Sequence, residues 1–243
     1  MICRIADAAA LPEGVAATVY GRRFRALRSA YGTGYDFCRF YELLSGRAYA
    51  AVLNASMTLC AGDAVDFEEL SAFMALNGIQ TAEMPLALGE AFAPAGYKKI
   101  PRILFEFQAG EFPAGMLVEE APPLDEVFAV LRTGFPLDKA YALWLTDASH
   151  QIRHGISRAY LYKGTTATMH SCMDGIAFFG QIATLPGNRG KGHARELLYW
   201  LEARMAEQGV KAWLFARPER VCFYRGLGFK EIGTDFIFEK EII

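Results

Sequence analysis

Nothing in this sequence reaches the length of a membrane span. A transmembrane helix needs about 18 consecutive apolar residues, and the apolar runs here stop at strand length, as in "IAFFGQIATL". The opening stretch "MICRIADAAALPEG" lacks the extended apolar core of a signal peptide, so no leader is expected there. An excess of one charge is missing too. The 25 Lys and Arg against 27 Asp and Glu leave a net charge of −2, which favours neither nucleic acid nor an anionic membrane surface as a partner. Cysteine is sparse: Cys3, Cys38, Cys60, Cys172 and Cys222 are odd in number and never spaced as CxxC. That pattern argues against a disulfide framework and against zinc, and a reducing, cytoplasmic setting is the expectation. "HQIRH" sets His150 and His154 four residues apart, but the Glu of HExxH and a third ligand are lacking, so no metal is expected.

What the sequence does hold is core material: 53% hydrophobic residues over 243 positions, enough for one large domain or two small ones. Residues 176–185 read as a buried strand ended by Pro186. Residues 193–208 read as a helix with Leu197, Leu198, Leu201 and Met205 on one face and Gly209 as its stop. "VKAWLFA" then reads as another strand. Between the first strand and the helix lies Arg189-Gly190-Lys191-Gly192. The first amides of a helix lack intrahelical acceptors, and the aligned peptide dipoles add partial positive charge there. Two glycines admit a bulky anion to the backbone, and Arg189 and Lys191 add full charges, which together suit a phosphate or pyrophosphate. The P-loop pattern fails because Gly192 and His193 follow Lys191, and GxGxxG fails at Arg195. A tight turn with solvated basic residues stays open on the loop alone.

The loop has company. Residues 189–194 fit Arg-x-x-Gly-x-Ala, which resembles the acetyl-CoA signature of the GNAT superfamily of N-acetyltransferases. "CFYRGLGFKEIG" resembles the closing segment of that family, with a tyrosine, a short helix and Gly-Phe entering a strand. The resemblance covers residues 176–235 well and the rest of the C-terminal half loosely. It implies an α/β fold with a mixed, largely antiparallel sheet flanked by helices, and a V-shaped opening between two parallel strands. It implies acetyl-CoA, or another short acyl-CoA, as co-substrate and an amine as acceptor, with no metal. Arg189, Gly190, Lys191, Gly192, His193 and Ala194 would cradle the pyrophosphate, mainly through backbone amides. Ala183 and Thr184 would offer backbone groups to the pantetheine arm and the oxyanion. Tyr224 would be the general acid for the departing thiolate, a role that suits a phenol with an ordinary pKa of ~10.

The sequence departs from the family twice. Arg217 stands seven residues before the tyrosine, where many members carry Asn. No Asp or Glu occurs between Gly175 and Arg195, where members with a strand carboxylate keep their general base. Asp174 and His170 are the nearest substitutes, and Asp147, His150 and Arg153 would lie toward the acceptor. The missing carboxylate leaves a non-catalytic acyl-CoA-binding or regulatory protein as the rival reading. Cys222 beside Tyr224 is not expected to act as a nucleophile, since transfer in this family is direct.

A faint internal repeat runs through the chain. "ICRIADAAALPEGV" parallels "MLVEEAPPLDEVF", "DFCRFYEL" parallels "ISRAYLY", and residues 77–100 parallel 208–232. Two tandem GNAT-type units are therefore expected, 1–118 and 119–243, joined near "EEAPPLDE". The first lacks the equipment. Phe92 takes the place of Tyr224, and "DAVD" stands where the second has its glycine loop, with Asp63 and Asp66 adverse to a pyrophosphate and Asp66 suited to cap the next helix. The first unit reads as a scaffold without a CoA loop. "RRFRALR" reads as a solvated helix face, and oligomeric state is left open.

Overall fold

The computed structural model describes residues 1–5, 11–43, 48–60, 65–135 and 141–241. Residues 6–10 and Asp63, both used in the repeat argument, lie outside the described residues. Two compact units emerge, Met1–Ile103 together with Gly233–Ile243, and Leu104–Ile232. Residues 104–118 thus lie in the second unit and the C-terminal residues in the first.

The first unit contains β1 (Ile2–Arg4), α1 (Glu13–Ala16), α2 (Val19–Tyr31), β2 (Cys38–Leu43), β3 (Ala48–Leu53), β4 (Ser56–Cys60), α3 (Phe67–Leu76), β5 (Thr81–Pro85), α4 (Leu86–Ala91) and most of β6 (Tyr97–Glu106). Strands β1 to β4 form an antiparallel meander. β5 then pairs parallel to β4 from Ser56↔Thr81 to Thr58↔Glu83. The crossover between them is α3, whose Leu70 and Met74 are buried while its polar positions face out. Asp66 caps α3 as the sequence suggested, accepting the amides of Glu68 and Glu69 at 3.0 Å each. The far side of β5 is covered by β11 (Lys230–Lys240), antiparallel from Asp235↔Pro85 to Glu239↔Thr81. Met57, Leu59, Met84, Phe92 and Phe238 meet in the core of this unit.

Asp235 brings a buried charge with it. Its carboxylate accepts from Arg102 Nε at 3.0 Å and from the Tyr20 hydroxyl. Arg102 also donates to Glu83 Oε1 at 3.0 Å, and Arg23 pairs with the other Glu83 oxygen. Burial pushes the Asp235 carboxyl up, against the pull of Arg102. A buried charge is tolerated only when so completely partnered.

The second unit contains α5 (Leu124–Leu131), α6 (Tyr141–Arg153), β7 (Arg158–Tyr162), β8 (Thr165–Met173), β9 (Ile176–Thr184), α7 (His193–Ala206), β10 (Lys211–Ala216) and α8 (Pro218–Gly226). Strands β7, β8 and β9 are antiparallel, and β10 pairs parallel to β9 from Lys211↔Ile176 to Leu214↔Phe179. The end of β6 flanks β10, with the Phe107 amide donating to the Ala212 carbonyl at 2.8 Å. The apolar face of α7 read from sequence is the buried one: Leu197, Leu198, Leu201 and Met205 are all inside. Gly209, at φ 67°, closes the helix with the left-handed turn that glycine permits.

The mixed sheet with an opening between parallel strands is therefore present, with β4 and β5 parallel in the first unit and β9 and β10 parallel in the second. In each, the strand flanking the pair comes from the other half of the sequence: β11 beside β5, β6 beside β10.

Candidate active site

The site grows from the place where β9 and β10 part. Their pairing ends at Phe179↔Leu214, and beyond it the two strands no longer pair with each other. Two bulges shape β9 and its neighbour at this point. Thr166 pairs with Ala183 but Thr168 pairs with Gly180, so β9 carries one extra residue. Gln181 takes a left-handed φ of 50° there, and its side-chain oxygen accepts from the Thr168 hydroxyl at 3.1 Å. On β8 the extra residue is His170, between the pairs Met169↔Phe179 and Ser171↔Phe178. Bulges bend a strand and re-aim its side chains, so the fork is built into the backbone.

Past the fork, β9 ends with Ala183 buried against α5 and Thr184 held by a 3.0 Å hydrogen bond between its hydroxyl and that of Thr165. A 3-10 turn, Pro186–Asn188, leads into the glycine loop, and Asn188 Nδ2 anchors it on the Lys163 carbonyl at 2.8 Å. Arg189 is exposed, but its guanidinium is engaged. Its Nε donates to the Thr184 carbonyl at 3.0 Å and its Nη2 to the Thr133 carbonyl at 2.9 Å. The guanidinium thus ties the loop to the end of β9 and to the turn after α5.

Gly190 and Gly192 have φ of 75° and 86°. A side chain at either position would carry strain of about 1–3 kcal/mol. Around a Cβ built on Gly190 there is nothing within 4 Å, so the loop offers bare backbone to whatever sits above it. Gly192 is the N-cap of α7 and supplies no side-chain hydrogen bond. The first bond into the helix is Glu196 N–H to the Gly192 carbonyl at 3.0 Å, which leaves the amides of His193, Ala194 and Arg195 without intrahelical acceptors. Beside them opens a cavity of about 530 Å³ lined by Gly190, Lys191, Gly192, Arg195, Cys222 and Phe223, among others. Its lining supplies two cationic side chains, open amides and a helix N-terminus. That chemistry fits a pyrophosphate.

Opposite the loop runs α8, with Arg217 as its N-cap residue and no side-chain cap bond. The Tyr199 hydroxyl on α7 donates to the Leu227 carbonyl at 3.0 Å and fixes the two helices together. Tyr224 lies near the end of α8, 7% exposed, with its ring 5.6 Å from Phe105, 6.2 Å from Phe229 and 5.1 Å from Phe223. This apolar packing pushes its hydroxyl up to about 12. The phenol stays protonated throughout the neutral range, as a proton donor must.

The other candidates are scattered. Asp174 occupies the hairpin turn between β8 and β9, at φ 50°. That is the opposite end of β9 from Thr184, roughly 30 Å away at about 3.3 Å per strand residue. Asp147, His150 and Arg153 lie on α6, where the rings of His150 and His154 stack at 4.4 Å. Cys222 is exposed on α8. Sequence reasoning did not foresee the tether made by Arg189, because both acceptors are backbone carbonyls, one of them 56 residues away. It also gave no sign of the two bulges; the only trace is Gly180 in an otherwise bulky run.

The comparisons agree with this geometry. A family model described as an acetyltransferase (GNAT) domain matches residues 141–231. No curated protein matches the chain. Among solved structures, a GCN5-related N-acetyltransferase from Kribbella flavida superposes with a TM-score of 0.63 at 16% identity, covering 92% of this chain and 96% of that one. One from Sphaerobacter thermophilus gives 0.56 at 17% identity, over 99% and 95%. A fungal multi-domain protein with a glucosamine N-acetyltransferase region gives 0.57 at 11% identity, over 98% of this chain and 38% of that one.

Proposed function

We propose, from the premise that this chain is an acyltransferase carrying a GNAT-family acetyltransferase domain at residues 141–231, that it moves an acetyl or other short acyl group from acyl-CoA to a primary amine. The observation that supports this best is the uncapped, glycine-lined N-terminus of α7 directly after the β9 fork. The amides of Gly190 to Ala194 would receive the pyrophosphate, with Lys191 adding charge. The guanidinium of Arg189 would serve by holding the loop. The pantetheine arm would run along Ala183 and Thr184. The neutral amine attacks the thioester carbonyl, and a backbone N–H near Ala183 or Thr184 stabilises the oxyanion. The intermediate then collapses by expelling the CoA thiolate. Tyr224 protonates that thiolate, which suits a phenol held un-ionised by burial.

The first unit is, in this reading, a second copy of the fold without the site. Its antiparallel meander, parallel pair and crossover helix recur in the same order in the second unit, which supports tandem copies over 1–118 and 119–243. Phe92 fills the position of the tyrosine, and the α3 amides are taken by Asp66. A cytoplasmic location is in keeping with five free cysteines. Calorimetric titration with acetyl-CoA, followed by CoA-thiol release over a panel of primary amines, tests the reading. Absence of acetyl-CoA binding would sink it.

A further inference from the structure

Strand β9 carries no Asp or Glu that could relieve an attacking amine of its proton, and the structure places another group beside it. Gly180 is the first residue of β9 beyond the last parallel pair. A Cβ on Gly180 would fall 2.6 Å from Nε2 and 3.0 Å from Cδ2 of His170, so the imidazole rests against the bare backbone at the apex of the opening. Two features of the chain make that contact. The β8 bulge supplies an extra residue and turns it toward β9, and glycine at 180 leaves room for the ring. His170 is half-buried. Two acidic side chains of the second unit, Glu106 and Asp174, are poor substitutes. Glu106 is committed to Trp213 Nε1 at 2.9 Å and Lys211 Nζ at 3.2 Å, and Asp174 is at the far end of β9.

We infer that His170 is the general base of the acyl transfer, taking the proton of the acceptor amine at Nε2. This rests on the acyl-CoA reading above. As the nitrogen–carbon bond forms, one proton passes from the amine to Nε2. As the carbon–sulfur bond breaks, another passes from the Tyr224 hydroxyl to the leaving sulfur. The products are the amide and CoA thiol, and solvent returns the proton from imidazolium to phenolate. No further reactant is needed. Gly180 is then a positioning residue, since any side chain there would displace the ring.

The test uses the full chain and two probes, acetyl-CoA and 3′-phosphoadenosine diphosphate, which lacks the pantetheine arm. Carbethoxylation of His170 is followed by peptide mass spectrometry. Saturating acetyl-CoA should protect His170 at least fivefold, and the shorter probe should not. His170→Gln and Gly180→Ala should each lower kcat about 10²-fold on the best amine of the panel, with acetyl-CoA affinity within twofold of the parent chain. If acetyl-CoA binds but leaves His170 unprotected, or if His170→Gln keeps its kcat, the inference falls and the acyl-CoA reading stands. If the parent chain neither binds acetyl-CoA nor releases thiol, both fall.

Discussion

The two parallel-strand forks of this chain have the same backbone plan and opposite contents. In the first unit the last parallel pair is Thr58↔Glu83, and Glu83 is locked by Arg102 and Arg23 while Arg102 also holds the buried Asp235. The crossover helix that follows is capped by its own Asp66, and Phe92 is packed between Phe67 and Phe238 at 5.2 and 5.4 Å. In the second unit the pair Phe179↔Leu214 is followed by a glycine, the crossover helix starts at an uncapped glycine, and Tyr224 is buried near the end of α8. A sheet with diverging strands is thus not in itself a binding site. What matters is whether the helix amides and the fork are left for a ligand or satisfied from within.

The sharpest way to break the contrast is to empty the first fork. Asp235→Ala would leave the buried Arg102 with Glu83 as its remaining carboxylate, and removal of one partner from a buried pair costs about 3–5 kcal/mol. Urea unfolding should show that loss, and a change under about 1 kcal/mol would mean the network is better hydrated than its geometry indicates. Next is Tyr224→Phe, which makes the second fork resemble the first at that position. Its kcat should fall about 10²-fold, with acetyl-CoA affinity unchanged by calorimetry. Because burial holds the Tyr224 hydroxyl at about 12, the parent chain should show no loss of kcat from phenol ionisation as pH rises to 10. A descending limb below that would remove the role.

Gly192→Val should weaken acetyl-CoA binding at least tenfold, about 1.4 kcal/mol, since valine strains a φ of 86° and covers the amides. The parent stoichiometry should be one per chain, and this variant should abolish it; a stoichiometry near two would give the first unit a site after all. The smallest effect is on the other helix. Asp66→Ala should cost about 1 kcal/mol of stability and should not create a second acetyl-CoA site, because no basic, glycine-rich loop precedes α3 in the sequence.

Much of the second site was legible because its signals are local. An apolar run, a proline, a glycine-rich loop and an apolar helix face follow one another within residues 176–206, and each element formed where its residues indicated. Asp66 was readable for the same reason, since a cap acts on amides two and three residues away. The unreadable parts depend on partners distant in sequence. Strand propensity says that residues 230–240 will extend but not which edge they will join. A guanidinium that seeks backbone carbonyls leaves no mark at the acceptor, so Arg189 looked like a phosphate ligand. The contact of His170 with Gly180 needed two irregular pairings that periodicity cannot show.

The crossed-over flanking strands bear on how the polypeptide is made. A chain leaving the ribosome completes β5 long before the strand that covers it, since Asp235 emerges 133 residues after Arg102. Until then β5 presents a bare edge, the kind of surface on which nascent chains stick to one another. The first unit therefore gains its covering strand only after the second has been translated.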